Sequence, residues 1–399
     1  NKSYKNNDQD IKILIDLSKK LEGLPRNVSK HAAGIVVTPK DITNYIPLYR
    51  VEESNELVTQ YDKDDIENLG LIKFDILGLR TLTIIDKTID AINLKNKDFD
   101  ITKISLDDPK VYNLLQRKLT TGVFQLESFG MKRYMGQLKP DCFEDIVALV
   151  ALYRPGPLGT DMVDDFIKNK HGKDIIYEHD LLKNILSTTY GLMLYQEQVM
   201  EISRSLANYT LAEADLLRRA MGKKKKKEME LHRKKFIDGT KKNKINESTA
   251  NSIFSKMEKF AGYGFNKSHS VAYAYISYQT AYLKSYFPAE FLAAALSSDM
   301  DNTDKIVRLV DACQEMDLVV HKPDINKSCY NFDSKDNNIL FGLGAIKGVG
   351  KNASEHIIKE REANGNYTDI FNFCERISHH TVNIATIKAL VNSGSFDVF

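Results

Sequence analysis

Apolar residues fall along this chain in three rhythms. The first 30 residues are polar except for Ile11 to Leu17, a short run that predicts a helix ending near Gly23 and Pro25. His31-Ala-Ala-Gly-Ile-Val-Val-Thr38 and Gly70-Leu-Ile-Lys-Phe-Asp-Ile-Leu77 are β-rich runs bounded by turn residues, and they predict two buried strands. From Arg80 the period lengthens. Leu82, Ile85, Ile89 and Ile92 recur at helical spacing, and helical segments dominate to about residue 300. Thr210-Leu-Ala-Glu213 has the form of a capping box, opening a helix through Leu216, Leu217 and Met221. Pro288 stops one helix and suits the first turn of the next, Ala289 to Leu296. From His321 to Phe341 short apolar runs alternate with Asn and Asp, predicting a linker with strands or turns. A glycine-spaced segment, Gly342 to Gly350, and a helical pattern to Arg361 follow. These rhythms predict an α+β chain, predominantly α-helical: a small αβ piece, a large helical region and a compact C-terminal helical module.

Composition narrows the class. At roughly 150 residues per domain, 399 residues suggest two to three domains. A hydrophobic share of 42% is enough for a sizeable core. The formal charge of +2 excludes a uniformly basic coat and an acidic tail. The longest apolar stretch, Ile146 to Leu152, is far short of the ~20 residues a membrane-spanning helix needs. Cys142, Cys313, Cys329 and Cys374 are scattered without a C-x-x-C pair, as in a reducing cytosol, so neither a disulfide framework nor a zinc site is expected. The chain opens on Asn1 rather than Met and has no secretory leader, so a piece of a longer, unexported protein is expected.

Charge is concentrated in one place. Met221 to Lys244 carries a local charge of +8, from eleven Lys/Arg and three acids. Arg219, Lys223 and Lys227 are spaced i, i+4, i+8, and on a continuous helix they share one face, with Lys226 beside them. Such a face suits polyphosphate, because each cation can meet a separate oxygen; the alternative is a solvated helix whose lysines confer solubility. Arg218-Arg219 lies next to Leu216 and Leu217, nearer the packed side, where arginine is costly to hold without a partner.

Three further segments can carry chemistry. Gly348-Val-Gly350, flanked by Lys347 and Lys351, has the form of a hairpin that lets a phosphate approach the backbone at a helix N-terminus. Such a clamp reads phosphates rather than bases, while a plain structural turn would explain the glycines equally well. Gly262-Tyr-Gly-Phe-Asn-Lys-Ser-His-Ser270 resembles a ligand-facing turn, with Asn266, Lys267 and His269 as candidates and a cap at Ser268 or Ser270 as the structural reading. The tyrosines at 275, 278, 282 and 286 that follow are expected to pack rather than stack on bases. On the second strand, alternation puts Lys73 and Asp75 on one face, opposite Phe74. A carboxylate among apolar residues needs a metal or a cation, and the plainer reading is a Lys–Asp pair at a strand edge. His31 could support a ligand or simply be a hydrogen-bonded core histidine.

Together with Tyr153-Arg-Pro-Gly-Pro157, Gly122-Val-Phe-Gln-Leu-Glu127, Tyr195-Gln-Glu-Gln-Val199 and Leu217 to Lys223, these segments closely resemble the C-family replicative polymerases, the alpha subunits of bacterial DNA polymerase III. The match runs over essentially the whole chain. It implies the end of a thumb and the last part of a polymerase-beta-like palm over 1–78, fingers over 79–320, and a linker with a tandem helix-hairpin-helix module over 321–399. It implies a DNA-directed DNA polymerase acting with two Mg2+ ions on primer-template DNA and deoxynucleoside triphosphates. Asp75 would be a catalytic carboxylate and metal ligand, and Lys73 would sit near the nucleotide. Arg218, Arg219 and Lys223 would meet its triphosphate, with Asn266, Lys267, His269 and Arg154 as further candidates, and Lys347, Gly348, Gly350 and Lys351 would contact DNA. A sliding clamp, a clamp loader and a proofreading exonuclease would be partners of the full protein in the bacterial cytoplasm, at the nucleoid. The family's Asp-x-Asp pair would lie before Asn1, which leaves a second expectation for this piece alone: a DNA- and nucleotide-binding module without catalysis. The family's usual Gly-Gly is Ala33-Gly34 here.

Overall fold

The computed structural model describes residues 9–24, 30–51, 55–95, 98–222, 226–260 and 263–399. It divides into two compact units, Asn1–Leu79 and Arg80–Phe399.

The first unit holds helix α1 (Gln9–Leu21), strands β1 (Gly34–Val37), β2 (Leu48–Arg50) and β3 (Leu57–Thr59), helix α2 (Lys63–Asn68) and strand β4 (Ile72–Asp75). Pro25 lies outside the described residues. Strands β1 and β4 pair antiparallel, with Gly34 opposite Asp75 and Ile35 opposite Phe74, while β2 pairs antiparallel with β3. Both predicted strands are therefore present, but they are not buried. Ile35, Phe74 and Ile72 are each more than half exposed. The reason is architectural: a two-stranded ribbon has no third layer to cover its faces, so alternation that would fill a core in a larger sheet meets solvent here.

The second unit is helical. Its elements run α3 (Arg80–Asn93), α4 (Pro109–Gln116), α5 (Phe129–Leu138), α6 (Phe143–Leu152), α7 (Pro155–Leu158), α8 (Met162–Lys170), α9 (Asp180–Leu186), α10 (Gln196–Ala207), α11 (Leu211–Gly222), α12 (Lys226–Lys242), α13 (Glu247–Phe260), α14 (Lys267–Tyr286), α15 (Pro288–Ser298) and α16 (Thr303–Gln314). A small sheet of β5 (Val320–His321), β6 (Asp333–Lys335) and β7 (Asn338–Leu340) leads to α17 (Lys351–Asn364), α18 (Ile370–Arg376) and α19 (Ile384–Asn392). None of the described helices is long and apolar enough to cross a membrane. The capping box is present: Thr210 Oγ1 accepts the amide of Glu213, whose carboxylate accepts the amide of Thr210 at 2.9 Å.

Two cores position the site. One gathers Leu115, Met135, Ile146, Leu149 and Tyr278 from α4, α5, α6 and α14. The other gathers Ile202, Leu217, Phe236 and Phe254 from α10 to α13. The tyrosine stripe packs as expected: buried Tyr278 donates to the Ser105 carbonyl at 2.9 Å, and Tyr282 stacks on Tyr286 with centroids 4.6 Å apart. Farther along α14, fully buried Lys284 donates to the Thr121 carbonyl at 2.8 Å.

Burial, and secondarily the neighbouring ammonium of Lys132, pushes the Lys284 amine down to about 8. An unfolded chain keeps that lysine protonated up to its ordinary value of 10.5, so between these limits the unfolded state binds more protons and stability rises with pH. Urea unfolding at pH 8 and pH 9.5 should show wild type gaining about 1.5 kcal/mol over Lys284→Met across that interval, because the slope climbs to 1.36 kcal/mol per unit only once the folded amine has lost its proton. Parallel curves for the two proteins would mean that the amine is not desolvated.

Candidate nucleotide and nucleic-acid site

In the first unit the β1–β4 register puts Lys73 and Asp75 on one face, and Lys73 Nζ lies 2.5 Å from Asp75 Oδ1. That hydrogen bond holds the Asp75 carboxyl below the usual carboxylate range. The carboxylate is half exposed, so the pressure that would have forced a buried acid onto a metal is absent. His31 sits ahead of β1 rather than within it. Its Nδ1 accepts the amides of Gly34 at 2.7 Å and Ala33 at 3.2 Å, and lies 3.8 Å from Asp75 Oδ1. A two-metal centre needs several converging carboxylates, which Asp75 alone does not supply. Among the described residues, the group of three metal-type ligands that converges is Asp141, Cys142 and Asp145. There Lys170 already pairs with both aspartates and Tyr190 donates to Asp145 at 3.0 Å, so the cluster is a structural ion pair.

The second unit collects most of the cationic candidates. Asp215, one turn before the arginine pair, accepts Arg218 Nε at Oδ1 and Arg219 Nε at Oδ2, each at 2.8 Å. Arg218 comes first among the causes that hold the Asp215 carboxyl low. The pair is less buried than expected, because Leu217 faces the core while Leu216 is exposed; the Arg219 side chain is 65% exposed. Arg218 also donates from Nη1 to Gln196 Oε1 at 3.2 Å.

Lys223 lies outside the described residues, and Arg219 and Lys227 fall on two helices, α11 and α12, rather than on one continuous helix. Lys235 on α12 reaches Glu213 on α11 at 2.5 Å, whereas 22 residues of continuous helix would separate them by roughly 33 Å. The basic segment therefore turns back on itself, and most of its charge is drawn along α12.

Gln196 opens α10 and its Nε2 donates to the Gly264 carbonyl at 3.1 Å, while its backbone amide donates to Phe265 at 2.9 Å. Both oxygens of Glu197 accept the Lys267 amide, at 3.0 and 2.9 Å. The cap of α14 is Asn266, whose Oδ1 accepts the His269 amide at 2.8 Å, and not Ser268 or Ser270. Lys267 Nζ lies 5.6 Å from the Tyr195 ring, and the His269 ring leans against Tyr273, centroids 4.2 Å apart with the planes tilted by 34°. Arg154 faces this loop from its other side. It donates to the Ala151 carbonyl at 2.7 Å and to the Tyr263 carbonyl, and it lies over the Phe265 ring at 4.4 Å. Burial lowers its pKa. Two of its five N–H donors go to the backbone, on α6 and on this loop, so it holds the loop in place. Arg154, Arg218, Asn266, Lys267 and His269 thus converge on one loop.

The C-terminal hairpin has a different build. The segment before it is a single 3-10 turn, Leu343–Ala345, rather than a full helix. Gly348 has a φ of +94°, which a side chain would strain, and no side chain caps α17 after Gly350. Lys347, Gly348, Gly350 and Lys351 are exposed around buried Val349, and Lys351 lies 3.8 Å from Glu355.

Comparison with known proteins places this architecture. A model of the bacterial DNA polymerase III alpha subunit finger domain matches residues 81–244, and one of the bacterial DNA polymerase III alpha NTPase domain matches 1–78. A helix-hairpin-helix motif model matches 317–399. Fingers followed by such a motif define the class as a polymerase subunit. The chain belongs to the family of the alpha subunit of bacterial DNA polymerase III. The DNA polymerase III subunit alpha of Buchnera aphidicola subsp. Acyrthosiphon pisum (strain APS) is 53% identical over 408 residues, spanning 99% of this chain and 35% of that protein. Those of Escherichia coli (strain K12) and Vibrio cholerae serotype O1 are each 52% identical over 402 residues, spanning 98% of this chain and 35% of theirs. The chain therefore spans about a third of the length of these relatives.

Asp215 escaped the sequence analysis, and Gln196 and Glu197 entered it only within the Tyr195–Val199 motif, without a role. Asp215 was legible, since an acid three and four residues before two arginines pairs with them on a helix. Arg154→Lys, which keeps the charge and loses the planar fork, should speed amide exchange across Tyr263 to Ser270 about tenfold, as loss of roughly 1.5 kcal/mol of charged hydrogen bonding requires. Unchanged exchange there would show that the loop does not depend on Arg154.

Proposed function

We propose that the chain is part of a template-directed DNA polymerase that adds deoxynucleotides to a primer 3′ end. The observation that carries this reading is the gathering of Arg218, Lys267, His269 and Asn266 around the Gln196–Gly264 contact, beside Arg219. In the reaction, the primer 3′ oxygen attacks the α-phosphorus in line, the bond to the β-phosphate breaks, and pyrophosphate leaves. Arg218 and Arg219 neutralise the charge that builds on the leaving phosphates, and Lys267 and His269 meet the same group from the α14 side. Lys223 lies in the same basic segment and belongs to this set by resemblance.

In the whole protein, residues 1–78 would form the end of the thumb and part of the palm, 79–320 the fingers, and 321–399 the linker and tandem hairpin module. Asp75 would be one ligand of the Mg2+ ions, with Lys73 beside it; the rest of that ligand set is not among the described residues. Lys347, Gly348, Gly350 and Lys351 would grip the backbone of primer-template DNA. The sliding clamp, clamp loader and proofreading exonuclease would be partners of the whole protein in the bacterial cytoplasm. For the chain by itself, the absence of a second carboxylate converging on Asp75 among the described residues favours a narrower reading, binding of DNA and nucleotide without catalysis.

In the full-length protein, Arg219→Ala should raise the nucleotide KM about 10- to 100-fold, the worth of one or two charged hydrogen bonds, and leave DNA affinity within about threefold. Steady-state primer extension beside DNA titration measures both. Equal losses in the two would contradict the nucleotide assignment.

A further inference from the structure

Gln196 stands between two halves of the cationic cluster. Its Oε1 accepts from Arg218 on α11, and its Nε2 donates to Gly264 in the loop that opens α14. That task needs an acceptor and a donor on one side chain. A carboxylate would turn a second acceptor toward the Gly264 carbonyl, and a basic side chain would have no acceptor for Arg218. The approach is close: a Cβ at Gly264 would lie 3.2 Å from Gln196 Cγ and 3.0 Å from Phe260 Cε1, so the bare α-carbon leaves the amide its room. The loop it grips carries Asn266, Lys267 and His269.

Resting on the nucleotide-site reading above, we propose that Gln196 is a positioning residue that couples the α11 arginines to the Tyr263–His269 loop. A phosphate oxygen that takes the Arg218 donors competes with Gln196 Oε1. The amide is then tied to Gly264 alone, and the loop is released from its tether to α11. Phosphate bound on one side of the cluster therefore changes how the other side is held, and the two sides bind cooperatively.

A mutant cycle read by calorimetric titration of this chain with tripolyphosphate at low salt tests the coupling. With Gln196 in place, Arg218→Ala and Lys267→Ala should be non-additive by about threefold to tenfold in affinity. In Gln196→Ala and in Gln196→Glu the two effects should multiply to within about twofold. Gln196→Glu keeps the acceptor for Arg218 and loses the donor for Gly264, and it stands in if Gln196→Ala fails to fold. Additive effects with Gln196 present would overturn the coupling while leaving the nucleotide site intact. Coupling that survives in Gln196→Glu would likewise overturn the role of the Gly264 bond. Failure of the unaltered chain to bind tripolyphosphate at all would remove the nucleotide site, and the coupling with it.

Discussion

A guanidinium keeps its proton at any physiological pH, so every arginine that a fold draws inward must find acceptors. The second unit meets this demand in two ways. Arg154 and Arg361 donate to main-chain carbonyls, those of Ala151 and Tyr263 and of Ile325 and Ser328, and Arg376 joins the carbonyls of Gly365 and Asn366 to an ion pair with Glu360. Carbonyls fixed by the fold cannot be exchanged, and these arginines brace the structure. Arg218 and Arg219 instead share the side chain of Asp215, with the amide of Gln196 as a further acceptor for Arg218. Side-chain acceptors can be replaced by the oxygens of an incoming anion. That difference separates the Arg218–Arg219 pair from Arg154 beside it, although Arg233 on α12 also rests on side chains, those of Asn251, Ser255 and Glu258.

The scaffold then sets where the exchangeable cations point. Helix α14 is anchored through Tyr278 in one core and through Lys284 to the Thr121 carbonyl. Its opposite end is free to present Lys267 and His269, with Asn266 as cap. Helix α10 begins beside it, and consecutive residues Gln196, Glu197 and Gln198 each serve a different contact: the loop and Arg218, the Lys267 amide, and the amides of Leu194 and Tyr195.

Much of this was legible in the sequence where it depended on local physics. The period change at Arg80, the Thr210–Glu213 box and the helix restart at Pro288 are encoded within a turn or two, and the structure has them. Burial was not local. Ile35 and Phe74 alternate as core residues do, and only the number of layers over them decides whether they meet water. The single helix expected to run through Arg219 and Lys227 is two helices for a related reason. Helical spacing describes a straight rod, and the fold-back that brings Lys235 to Glu213 depends on a core contributed by five helices, α9 to α13. Gln196 stood within the Tyr195–Val199 motif, but its role was not legible because the partners of its side chain lie 22 and 68 residues away.

Photocrosslinking an azido-deoxynucleoside triphosphate to the chain, followed by peptide mapping, tests the site most directly. Adducts are predicted on the peptides that hold Arg218–Arg219 or Tyr263–Ser270, and an excess of tripolyphosphate should abolish them. Adducts confined to other surfaces, such as the cavity bounded by Thr121, Phe129 and Lys132, would contradict the assignment.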